Sequence, residues 1–160
     1  MSPAAPPEIA LTELPGHYIR RLHQISVGIF MQEAEPWGVT PVQYAALQTV
    51  RNQPGVDQRS LARLIALDTS TIGGVIDRLE ARGLLQRNAA PGDRRVRQLT
   101  LTPAGQQLLA DVIPAMRRVQ DRLLEPLQPQ EQAAFMEMLE RMVNTNNALS
   151  RAPSGVVGER

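Results

Sequence analysis

From Asp57 to Leu101 the apolar spacing changes from helical to alternating, and this change limits the possible fold more than any other feature of the chain. Asp57 stands where an N-cap would start a short helix over 58 to about 66, with Leu61, Leu64 and Ile65 on its apolar side. After a tight junction at Ala66-Leu67-Asp68, Asp68 is placed to cap a second helix over 69–82. Its residues Ile72, Val75, Ile76 and Leu79 form one buried stripe at helical spacing. Gly83 follows where a left-handed residue closes a helix. Two strand-like runs, 84–88 and 94–101, are joined by the turn cluster Ala89-Ala90-Pro91-Gly92-Asp93, which predicts a hairpin.

Helical patterns flank this unit. Tyr18, Leu22, Ile25 and Ile29 mark a helix over 13 to about 35. Thr40-Pro41 starts another, an N-cap hydroxyl followed by proline at the first helical position. Thr102-Pro103 repeats that start for a long helix to about 124, bent at Pro114, and Pro129 opens a last helix to about 149. Residues 1–12 are expected to be a mobile arm and 150–160 a frayed tail around a single domain over 13–149.

Composition removes several function classes. The chain has 160 residues, 42% of them hydrophobic, and no cysteine. Disulfides, thiolate zinc sites, iron–sulfur clusters and thiol redox switches are therefore excluded. His17 and His23 would point about 240° apart on one helix, so no metal site is expected. No apolar run reaches the roughly 18 residues of a membrane helix, and the first residues lack a signal-peptide pattern. The expected compartment is the cytoplasm, with no membrane partner. No Ser/His/Asp arrangement or Gly-rich phosphate loop is present, so an enzyme is not expected.

Net charge is only +1, but all 17 basic residues are arginine, and between Arg59 and Arg97 eight arginines face four acids. On the predicted helix over 69–82, the arc opposite the buried stripe holds Ser70, Gly73, Gly74, Asp77, Arg78 and Ala81, beside Thr69 and Thr71. This slim, polar surface has the shape of a helix that enters a DNA major groove. Each glycine costs about 0.5–1 kcal/mol of helix stability relative to alanine, which suggests that something approaches the backbone closely there. The hairpin adds Asp93, Arg94, Arg95 and Arg97, arginines suited to a narrow minor groove; alone, they would equally suit a solvated strand edge. Placed directly behind a helix-turn-helix, the hairpin reads as a wing.

The run Asp68-Thr-Ser-Thr-Ile-Gly-Gly-Val-Ile-Asp-Arg-Leu-Glu-Ala-Arg-Gly-Leu-Leu-Gln-Arg87, then Asp93-Arg-Arg, then Leu99-Thr-Leu-Thr-Pro-Ala-Gly105, resembles the MarR family of bacterial transcription regulators. The resemblance implies a mainly α fold with a small β-hairpin wing. In it, a winged helix-turn-helix core over about 40–102 joins an α-helical dimerisation region built from both chain ends, about 13–35 and 103–149. It implies a homodimer that binds a pseudo-palindromic double-stranded operator, with repression as the family default. It assigns Ser70, Thr71, Gly74 and Arg78 to the recognition helix, Arg95 to the minor groove, and Asp93 to steadying the wing tip. Gly73-Gly74 departs from the longer side chains of many relatives, which shifts specificity toward Arg78, the wing and DNA shape.

The resemblance also implies a small aromatic acid as effector and no cofactor. Candidate contacts are His17, Arg20 and Arg21 for the carboxylate, and Tyr18, Trp37 and Tyr44 for the ring. The alternative for the arginine arc is a solvated or dimer-contact face. A further alternative for the whole chain is a winged-helix adaptor or a regulator without an effector. Salt separates an adaptor from a DNA binder, because DNA contacts made through arginine weaken steeply with ionic strength.

Overall fold

The computed structural model describes residues 9–154, and of residues 93–95 it describes the backbone alone. The helices are α1 (Pro15–Glu33), α2 (Pro41–Asn52), α3 (Gln58–Leu64), α4 (Thr69–Ala81), α5 (Pro103–Leu124) and α6 (Pro129–Asn146). The strands are β1 (Val56–Asp57), β2 (Leu85–Ala90) and β3 (Asp93–Leu101). The result is a mainly helical winged helix-turn-helix in which β3 lies between β1 and β2, antiparallel to both.

Local chemistry sets the helix starts. Thr40 accepts the Gln43 N–H while the Gln43 side chain accepts the Thr40 N–H, a reciprocal box that opens α2. Asp57 accepts from the Ser60 N–H at 2.9 Å and from its hydroxyl at 2.7 Å, opening α3 as predicted. Asp68 differs from expectation: its side chain caps nothing. Its carbonyl already takes the Thr71 and Ile72 N–H groups at 3.0 and 3.1 Å, so the carboxylate is left to solvent. Between α3 and α4, Ala66 adopts φ +52°, a left-handed conformation that costs a non-glycine residue roughly 1 kcal/mol.

The core joins the two helical regions. Leu47, Leu61, Ile76, Leu79, Leu99 and Leu109 are fully buried, one or more from each of α2, α3, α4, β3 and α5. Full burial of each leucine or isoleucine contributes about 1.5–3 kcal/mol. α5 runs through Pro114, where the N–H that would bond Ala110 is missing. Glu33 of α1 accepts from Arg118 Nε at 2.7 Å and from Arg122 Nη1 at 2.9 Å, fastening α1 to α5.

The wing turn is tighter than expected. β2 extends to Ala90 and β3 starts at Asp93, leaving only Pro91-Gly92 as the loop, with Gly92 at φ +87°. Proline's fixed φ followed by a left-handed glycine suits a two-residue reversal. A register shift falls between Ala89 and Ala90.

Short turns border the outer helices. A 3-10 turn covers Leu11–Glu13, and another covers Asn147–Leu149 beyond α6. The Asn147 side chain exchanges two 3.0 Å hydrogen bonds with the Ser154 backbone. The expectations for 1–8 and 155–160 lie outside the described residues.

Candidate nucleic-acid interface

α4 presents the predicted surface. Thr69, Ser70, Thr71, Asp77 and Arg78 are exposed, Gly73 and Gly74 are half-buried, and Ile72, Val75, Ile76 and Leu79 fill the core. Nothing inside the protomer demands either glycine. A Cβ on Gly73 would lie 3.4 Å from Gln58 Nε2, and one on Gly74 would lie 3.5 Å from Arg78 Nη1. Both neighbours are ends of flexible side chains. The Arg78 guanidinium therefore folds back along its own helix over Gly74.

The wing stands beside this helix. Arg97 is exposed on β3 opposite Ala89. The side chains of Asp93, Arg94 and Arg95 lie outside the described residues; their backbone forms the start of β3, which puts all three at the wing tip.

Two arginines missing from the predicted set hold the module together. Arg87 on β2 binds both Asp77 and Glu80 of α4. Burial disfavours its charge, but the hydrogen bonds it donates to the Asp77 and Glu80 carboxylates prevail and raise its pKa above the ordinary value. Arg82, just past α4, donates to the Gly38 carbonyl at 2.8 Å and the Trp37 carbonyl at 2.7 Å. No spacing rule exposes these partners, which lie up to 45 residues away in sequence.

The candidate ligand residues do not converge within one protomer. Tyr18 and Arg21 line an apolar groove of about 1130 Å³ between α1 and α6. His17 packs edge-on to Tyr18, with ring centroids 5.5 Å apart, and Arg20 reaches Gln24 at 3.3 Å. Tyr44 lines a separate cleft of about 440 Å³ with Phe30, Met116 and Arg117. Trp37 packs against the core. Tyr18 and Phe30 are twelve residues apart on α1, which at 1.5 Å per residue is roughly 18 Å.

Comparison with known proteins matches this geometry. The model of the MarR family fits residues 39–96. The transcriptional repressor NicR of Pseudomonas putida is 33% identical, with 85% of this chain and 86% of that protein covered. The structure of Bordetella bronchiseptica BpsR, whose DNA binding is regulated by 6-hydroxynicotinic acid, superposes with a TM-score of 0.80 at 32% identity, covering 85% of this chain and 97% of that one. The repressor CouR, solved on a 23-mer DNA duplex, gives a TM-score of 0.79 at 30% identity over 86% of this chain and 99% of that one. From the capped helices and wing to the flanking α1, α5 and α6, this chain belongs to the MarR family of transcription regulators.

Proposed function

We propose that the chain is a homodimeric repressor in the cytoplasm that reads a pseudo-palindromic operator and releases it when a small aromatic carboxylate binds. The observation that carries this reading is the outward face of α4: exposed hydroxyls at its start, two glycines the fold does not need, and Arg78 ready to unfold from Gly74 toward a base. Thr69, Ser70, Thr71, Gly73, Gly74 and Arg78 enter the major groove, while Asp93, Arg94, Arg95 and Arg97 serve the minor groove through the wing. The DNA-bound state of CouR and the similarity to the repressor NicR support a repressor that binds DNA.

A second copy completes the fold. α6 has no buried residue in the protomer, and Met136, Met138, Met142 and Val143 stand exposed along it. Apolar surface on that scale needs a partner. The dimerisation region consists of α1, α5 and α6.

The effector sits in the Tyr44 cleft, whose volume falls within the usual range for small-ligand sites. Tyr44 supplies an aromatic wall and Arg117 a guanidinium for the carboxylate. His17, Arg20 and Arg21 are too far along α1 to reach the same small acid from the same protomer, so they act from the partner's α1. The regulation of BpsR DNA binding by 6-hydroxynicotinic acid supports a ligand of this class.

A thermal-shift screen of benzoates, hydroxycinnamates and 6-hydroxynicotinic acid, followed by gel shift on the DNA upstream of the gene, tests the reading. The expected result is a retarded complex that the stabilising acid dissolves. Absence of any duplex binding at low salt overturns it.

A further inference from the structure

The two carboxylates on the outer side of α4 are out of place on a surface that meets phosphates. Asp77 shares the outward arc with Ser70, Gly74 and Arg78, and its side chain is 66% exposed. Glu80 lies one turn further on and is 40% exposed. Left alone, the pair would add two negative charges beside the DNA.

Arg87 answers both. Its Nη2 donates to Asp77 Oδ1 at 2.5 Å and its Nη1 donates to Glu80 Oε2. Its backbone N–H donates to the other Glu80 oxygen at 3.2 Å. The guanidinium, with only 23% of its side chain exposed, spends its fork on these two carboxylates of its own chain.

We propose that Arg87 is a positioning residue for DNA affinity: it masks Asp77 and Glu80, so that the recognition face carries one net negative charge there instead of two. This rests on the reading of α4 and the wing as the DNA-binding surface. An arginine that touches no DNA thereby raises affinity, and it does so through the long-range field of its own salt bridges.

The test is affinity for a fluorescent random-sequence 25-bp duplex, measured with the full chain at about 50 and about 300 mM salt, where screening differs strongly. Four proteins are compared: wild type, Arg87→Met, the double variant Asp77→Asn/Glu80→Gln, and the triple combination. Their cluster charges are −1, −2, +1 and 0 in that order. Masking predicts that affinity follows charge: Arg87→Met weakest, wild type next, the triple variant tighter, and the double variant tightest. Steps of about threefold or more per unit charge are expected at low salt, shrinking at high salt.

A clamp whose only role is structural predicts the opposite for the double variant, since removing either side of the clamp breaks it. Weaker binding by Asp77→Asn/Glu80→Gln than by wild type overturns the proposal, and so does a triple variant no better than Arg87→Met. The double variant keeps Arg87, so the test survives if Arg87→Met fails to fold. A wild type that binds no duplex at 50 mM salt overturns instead the DNA-binding reading on which the proposal stands.

Discussion

Gly105 of α5 lies directly against the backbone of Leu84: a Cβ on Gly105 would come 1.9 Å from the Leu84 carbonyl oxygen. The contact is locked by Thr102, whose hydroxyl donates to the Gly83 carbonyl at 2.6 Å and accepts the Gly105 N–H at 3.1 Å. The Thr-x-x-Gly spacing is thus a joint between the end of the recognition helix and the start of α5. Gly105→Ala should destabilise the fold by about 3 kcal/mol, because backbone rather than a flexible side chain must move. Ala104→Gly, at the exposed neighbouring position, should cost only about 1 kcal/mol. Urea midpoints of the two variants check this.

Gly74 should behave in the opposite way. Its φ is not left-handed and a methyl group there meets only the tip of Arg78. Gly74→Ala should raise stability by about 0.5–1 kcal/mol while lowering affinity for a selected operator. Thermal melts and anisotropy titrations on the same preparation separate the two effects. A variant that is stabilised and binds normally would show that DNA makes no use of this glycine.

Acid should loosen the α1–α5 contact. Hydrogen bonds from Arg118 and then Arg122 hold the Glu33 carboxyl below its ordinary pKa of 4.5, and Ser60 does the same for Asp57. A lowered folded pKa means that the stabilisation is complete above the unfolded value and is lost as pH falls through the folded one. Unfolding midpoints should therefore be flat near neutrality and fall below about pH 4.5. Glu33→Gln should lower stability at pH 7 and flatten part of that acid slope.

The helices and the wing were legible because their signals are local. Thr40-Pro41, Asp57 and Thr102-Pro103 each cap the helix they announce. The stripe Ile72, Val75, Ile76 and Leu79 is buried as its period requires. The misses are long-range or competitive. β1 is two residues long and exists only because Val56 and Asp57 pair with Leu99 and Gln98. Asp68 has the right residue type for a cap, but its own carbonyl took the N–H group first. The pairing of Asp77 and Glu80 with Arg87 depends on how the wing folds back, which no local pattern records. The Tyr18 stripe marks α1, but its period does not show that its N-terminal half faces an open groove beside α6, with Tyr18 and Ile25 exposed.

Arg95→Ala should remove one minor-groove phosphate-zone contact. The plot of log affinity against log salt should lose about one unit of slope, with affinity falling on every duplex tested. An unchanged slope would take Arg95 out of the interface.

The most direct measurement compares Arg78→Ala with wild type on two duplexes, one selected in vitro for tight binding and one of random sequence. Arg78 is the exposed, long polar side chain on the outer face of α4 that can reach a base edge. A loss of about 1–3 kcal/mol, roughly fivefold to 150-fold, is expected on the selected duplex and a much smaller loss on the random one. Equal affinity of both proteins for both duplexes would contradict the assignment of α4 as the element that reads DNA.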